Sequence, residues 1–160
     1  EYEKVLRKIK DFIKDQNKVV DLYSGVGTIG LTVAGDKNLT LVEVDKFAHD
    51  ELLNNIESVK SSTGNSEITG ILAKSEDIYD HIEHGSTVIV DPPRSGCDSK
   101  LIDTINQKLP EKLVYLSCNP ITQVRDLERL TQNYQITDVT GYNFFPHTPH
   151  IECLVLLERR

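Results

Sequence analysis

Apolar side chains recur along the chain with two alternating periods. Tyr2, Val5, Leu6, Ile9, Phe12 and Ile13 follow the 3.6-residue spacing of an amphipathic helix. Lys18–Leu22 then reads as a short buried strand, and a glycine loop over residues 23–30 opens a helix that runs to about Ala34. A second strand is expected over residues 38–44, a helix carrying Phe47, Leu52, Leu53, Ile56 and Val59, and a polar loop over 61–66. A third strand over 67–73 leads into a turn or short helix near 76–80, and Thr87–Val90 is a fourth strand. Leu101, Ile102, Ile105 and Leu109 mark a helix, residues 112–116 a fifth strand, and Ile121, Val124, Leu127 and Leu130 the helix after it. The tail holds two β segments, 135–144 and 151–157, joined through 145–150.

Strands alternating with helices imply right-handed crossovers and a parallel sheet covered on both faces. The last two strands have only a short connection and should form an antiparallel hairpin at one edge. The predicted fold is therefore α/β: doubly wound and Rossmann-like, with about seven strands, mostly parallel, and an antiparallel C-terminal hairpin. In such sheets ligands bind beyond the carboxyl ends of the strands. The start of the reversed strand falls at that same rim.

Composition narrows the picture. The chain has 160 residues, enough for one domain with a sizeable core, and it is 38% hydrophobic and 27% charged. No apolar run approaches a membrane span and no signal peptide opens the chain. Cys97, Cys118 and Cys153 are odd in number and widely spaced, as reduced thiols of a cytoplasmic protein would be. The net charge of −7 is unfavourable for holding a phosphate backbone. If the chain acts on nucleic acid, the grip is expected mainly from a region N-terminal to it, with these residues a catalytic domain within a longer protein.

Four stretches carry candidate chemistry. Gly25, Gly27 and Gly30 match G-x-G-x-x-G between a strand and a helix, and Glu43 ends the next strand, placed to accept from ribose hydroxyls. That pattern suits either NAD or S-adenosylmethionine. Asp91-Pro92-Pro93-Arg94 sets a carboxylate before two residues with fixed φ and no N–H, a rigid wall that can hold the edge of a planar base. In Ser117-Cys118-Asn119-Pro120 a strand runs into a cysteine, with Asn119 as helix cap and Pro120 at the first helical position. The positive end of that helix favours a thiolate, so Cys118 is a candidate nucleophile. Finally, alternation puts Glu152 with Leu154 and Leu156, where desolvation would raise its carboxyl toward the range of a general base. His147, His150 and Glu152 have a spacing that metal ligands also show, but no further open cluster accompanies them and no metal is expected. An amino methyltransferase using Asp91-Pro92-Pro93-Arg94, a non-catalytic cofactor- or RNA-binding module and an NAD oxidoreductase are the competing readings.

With the four stretches in this order, the chain resembles the catalytic domain of the RNA 5-methyluridine methyltransferases, which use S-adenosylmethionine to methylate carbon 5 of uridine in tRNA or rRNA. The resemblance spans essentially the whole chain. Its specific part is the combination of residues 91–96, 117–120 and 146–152. It implies Cys118 as nucleophile and Glu152 as base. It implies Tyr23, Ser24, Gly25, Gly27, Glu43 and Asp91 around the cofactor, and Asp91, Pro92 and Asn119 around the target base. Larger members carry an RNA-binding β-barrel, and some an iron–sulfur cluster, before this region, so the isolated chain is expected to act weakly or not at all on RNA.

Overall fold

The computed structural model describes every residue except Ser66, 145–147, 149 and 150. The opening helix α1 (Tyr2–Phe12) precedes a run of strand–helix units: β1 (Lys18–Leu22), α2 (Thr28–Ala34), β2 (Asn38–Glu43), α3 (Lys46–Thr63) and β3 (Ile68–Leu72). Two short 3₁₀ turns then lead to β4 (Thr87–Val90), α4 (Ser99–Lys108), β5 (Lys112–Ser117), α5 (Pro120–Leu130), β6 (Tyr134–Tyr142) and β7 (Glu152–Arg159). The sheet has seven strands in the order β3-β2-β1-β4-β5-β7-β6. The expected fold is observed: β1 to β5 pair in parallel, and β7 alone runs against both its neighbours. The hairpin does not simply extend the edge. The α5 crossover carries the chain one place beyond β5, and β7 returns to fill the vacant slot, leaving β6 outermost.

The two faces of the sheet bury separate cores. Val19, Leu39, Leu41, Ile89, Val114, Leu116, Leu154 and Leu156 pack beneath α1, α2 and α3. Val20, Leu22, Val42, Val88, Leu113, Tyr115 and Leu157 pack beneath α4 and α5. This alternation fixes which way the residues at the strand ends project.

Two local expectations change. The polar stretch from Ser61 is helical through Thr63, with the Ser61 and Thr63 hydroxyls turned back onto the Glu57 and Val59 carbonyls. Gly64, at φ 71°, supplies the left-handed cap. The inward phase of α5 also differs. Ile121 and Val124 are 82% and 54% exposed, while Gln123 and Asp126, each 2% exposed, face inward with Leu127 and Leu130. Apolar periodicity gives the wrong phase because polar side chains occupy that helix's buried positions.

Candidate active site

Asp21, Glu43, Asp91 and Glu152 share one phase of the strand alternation, that of the face covered by α1 to α3. Cys118 follows the last residue of β5 and continues the phase of Val114 and Leu116. The register Ser117↔Cys153 sets the residue before Cys118 opposite the residue after Glu152. Val90↔Tyr115 brings Asp91 beside the same strand end. The carboxyl ends of the parallel strands and the start of reversed β7 therefore bring the nucleophile, base and pocket carboxylate expected from sequence to one rim. Of the stretch 146–152, Thr148, Ile151 and Glu152 are described; His147 and His150 lie outside the described residues.

The glycine loop is held from below. Glu43 accepts from the Gly25 N–H at 2.8 Å through one oxygen, and from the Val44 and Asp45 N–H groups through the other. Ser24 N–H and hydroxyl both donate to the Val42 carbonyl. Tyr23 adopts φ 59°, an uncommon conformation for a bulky residue, with its N–H on Ser75 Oγ and its hydroxyl accepting from Asp98 N–H. Gly25 is left-handed at φ 55°, and a Cβ there would meet nothing, so the loop leaves open space where a side chain would stand. Gly30 serves a different purpose: a Cβ would lie 2.5 Å from Asp21 Oδ2, which accepts the Gly30 N–H. Beside the loop, an open cleft of about 210 Å³ is lined by Tyr23, Glu43, Val44, Lys74, Ser75 and Glu76.

Sequence reasoning did not single out Asp21. It is fully buried, its Oδ1 has no partner among the described residues, and its carboxyl is pushed up to about 7 by burial and by the nearby Asp91 and Glu43. Asp91 is also raised to about 7, by burial and then by the charge of Glu152. Pro92 and Pro93 carry no N–H that could offset this. The signal for Asp21 was its place in the buried strand Lys18–Leu22, a carboxylate set between Val20 and Leu22.

The raised value at Asp21 has a consequence for stability. Between its unfolded value near 4 and about 7 the folded chain holds a proton that the unfolded chain has released, so stability falls as pH rises through that window. Asp21→Asn keeps the acceptor for Gly30 and removes this dependence. Its stability relative to wild type should improve between pH 5 and pH 8 by an amount on the order of 2–3 kcal/mol. Urea midpoints at the two pH values check this; an unchanged gap would show that Asp21 does not titrate there.

Cys118 sits between two pinned residues. Asn119 N–H donates to Ser117 Oγ at 3.0 Å, and Ser117 Oγ donates to the Asn119 carbonyl. Asn119 caps α5 by accepting from Ile121 N–H, while its amide donates to the Arg94 carbonyl at 2.9 Å. Thr122 Oγ1 donates to that carbonyl as well. The thiols of Cys97 and Cys153 are both pushed up by burial, Cys97 to about 12. Cys118 is partly exposed at the strand–helix junction.

Asp126 fastens the loop from Asp91 to Asp98 onto α5. Its Oδ2 accepts from Cys97 N–H at 2.8 Å and from the Tyr115 hydroxyl at 2.7 Å, and its Oδ1 pairs with Arg125. The Arg125 side chain is 56% exposed, so solvent screens that ion pair. The two buried donors carry most of the cost if Asp126 is removed, at about 1–3 kcal/mol each. Asp126→Ala is therefore expected to lose roughly 3 kcal/mol, which in a chain this long lowers Tm by about 6–12 °C. A shift under about 2 °C would show that water replaces the carboxylate at little cost.

Among the described residues no three His, Cys, Asp or Glu side chains cluster as metal ligands would, and no helix is long and apolar enough to cross a membrane.

The family model described as tRNA (Uracil-5-)-methyltransferase matches residues 3–160. An uncharacterized RNA methyltransferase of Prochlorococcus marinus is 37% identical over 99% of this chain. The tRNA (uracil(54)-C(5))-methyltransferase of Pyrococcus horikoshii is 35% identical over 96% of it. The chain spans 39% and 35% of their respective lengths. The crystal structure of Pyrococcus abyssi tRNA (uracil-54, C5)-methyltransferase in complex with S-adenosyl-L-homocysteine superposes with a TM-score of 0.81 at 32% identity, covering 96% of this chain and 37% of that one. This chain belongs to the tRNA (uracil-5-)-methyltransferase family.

Proposed function

We propose that this chain is the catalytic part of an enzyme that methylates carbon 5 of a uridine in tRNA or rRNA, through a covalent bond between Cys118 and the uracil ring. The observation that carries this reading is the β5–β7 register, which sets Cys118 and Glu152 on one face beside Asp91.

The residues present fit S-adenosylmethionine. The open space at Gly25 admits a ligand close to the backbone, and the cleft beside Glu43 suits an adenosine. Asp91 and Glu43 each repel the Asp21 carboxylate, and Asp21 Oδ1 lacks a partner among the described residues, so the site favours a cation. Tyr23, Ser24, Gly25, Gly27, Glu43 and Asp91 would hold the cofactor. When bound, it supplies a methyl group on a positively charged sulfur.

The side chains account for the rest. Carbon 5 of uracil is a poor nucleophile. Addition of the Cys118 thiolate at carbon 6 moves the ring's π electrons into an enolate and makes carbon 5 carbanion-like. Asp91, raised to about 7, is partly protonated at neutral pH and can donate to a ring carbonyl as that charge develops. Pro92 and Asn119 would wall the base. Once carbon 5 carries the methyl group, Glu152 accepts the carbon 5 proton, the 5,6 double bond re-forms and the Cys118 thiolate leaves. A base in structured RNA must leave its stack to enter such a pocket.

The test is covalent trapping in the full-length parent protein with S-adenosylmethionine and RNA containing 5-fluorouridine. Fluorine cannot leave as a cation, so elimination stalls. The expected result is a denaturation-resistant complex whose cross-linked peptide contains Cys118. Methyl transfer to ordinary RNA with no such complex would instead favour an amino methyltransferase.

A further inference from the structure

We propose that Gln123 is a positioning residue whose side-chain amide staples β5 to β7 and so sets the placement of Glu152 relative to Cys118. The inference rests on the roles proposed for that pair. Gln123 is 2% exposed, and its Nε2 donates to the Tyr115 carbonyl of β5 and to the Cys153 carbonyl of β7, both at 3.0 Å. One acceptor lies three residues before the nucleophile; the other belongs to the residue after the base. The two N–H groups of a single planar amide diverge at a fixed angle, so they define where the two strands lie relative to each other.

An apolar side chain of the same length would fill the position but would leave the Tyr115 and Cys153 carbonyls without this donor. Ile121, two residues before Gln123, and Val124, the residue after it, are turned outward, so nearby apolar side chains were left in solvent while the amide was buried. A buried polar group fully occupied with strand carbonyls specifies geometry, and here the geometry concerns the junction between the two reactive residues. Cys118 is tied independently by Ser117 and Asn119. Glu152 begins its strand, opposite Tyr142 of β6, and the bond from Gln123 to Cys153 anchors it toward α5.

The two halves of the proposed reaction depend on this pair differently. Addition forms the bond from Cys118 Sγ to carbon 6 and takes no proton to Glu152. In elimination the Glu152 carboxylate accepts the carbon 5 proton. The C–H electron pair re-forms the 5,6 double bond, the carbon–sulfur bond breaks, and the thiolate and a carboxylic acid remain, the latter releasing its proton to water. A misplaced Glu152 therefore slows release more than capture.

The experiment uses the full-length parent protein with Gln123→Met, which keeps the length and removes the donors, and Gln123→Asn, which keeps the donors on a shorter stem. Rates are expressed per S-adenosylhomocysteine-binding site, so partial loss of folded protein does not alter their ratio. Both variants should form the 5-fluorouridine adduct within about threefold of the wild-type rate. With ordinary RNA and S-adenosylmethionine, both should accumulate a covalent complex that the wild type clears, with turnover reduced between about 10- and 100-fold. Equal loss in capture and turnover, or no loss in either, would overturn the role of Gln123. A wild-type protein that forms no 5-fluorouridine adduct would instead overturn the Cys118 reading, and this inference with it.

Discussion

Cys118→Ala in the full-length parent protein removes the 5-fluorouridine adduct altogether and lowers methylation of ordinary RNA on the order of 10⁴-fold or more. Without the thiolate no enolate forms, and carbon 5 has no electron density to offer a methyl donor. Neighbouring groups cannot substitute. Cys153 is one residue from Glu152, yet burial raises its thiol and its strand phase turns it toward the opposite face, against the α4–α5 core. Cys97 is buried beneath α4 and raised to about 12. S-adenosylhomocysteine binding to the variant should stay within about threefold of wild type, because the glycine loop is braced by Glu43 and not by the cysteine. Variant protein that still methylates carbon 5 at a tenth of the wild-type rate or better would end the covalent mechanism. The assay is single-turnover transfer of labelled methyl groups, with the product nucleoside identified by mass.

Glu152→Gln gives the second large effect, of a different kind. The amide matches the carboxylate in size but cannot take the carbon 5 proton, so turnover should fall about 10²–10⁴-fold. Capture should fall far less than turnover, and a methylated covalent complex should accumulate with ordinary RNA, without fluorine. The substitution also removes the charge that helps hold Asp91 up, so the Asp91 carboxyl should titrate lower than in wild type. Rapid clearance of the complex by this variant would move the role of base to another group at the rim. Comparison with the Gln123 variants orders the two residues along one path: the same step slowed strongly by loss of the base and more weakly by loss of its staple.

How much of this was legible beforehand depends on the range of the interaction concerned. The helices, strands and parallel order followed from apolar spacing, because a period of two or 3.6 is a property of a dozen neighbouring residues. The glycine loop, the Asp91-Pro92-Pro93-Arg94 wall and the cysteine before an Asn-capped, Pro-led helix were legible for the same reason. Their chemistry is carried by residues adjacent in the chain, and Asn119 caps α5 as expected. The shared rim was also within reach, since parallel strands end on one side and a reversed strand begins there.

The rest depended on contacts between distant segments. No local pattern places β7 in the slot between β5 and β6, yet that slot sets the Ser117↔Cys153 register and with it the neighbourhood of Cys118 and Glu152. Apolar spacing on α5 pointed to Ile121 and Val124 as the buried face. The helix instead turns Gln123 and Asp126 inward, because their partners (the Tyr115 and Cys153 carbonyls, the Tyr115 hydroxyl and the Cys97 N–H) exist only once β5, β7 and the loop after β4 have met. Glu43 appeared as a ribose acceptor and is also the brace of the glycine loop through Gly25. A side chain's type and its neighbours in the chain suffice to say what it can do. Burial, partners and charge environment arise when remote segments pack, and they decide which of those capacities it exercises.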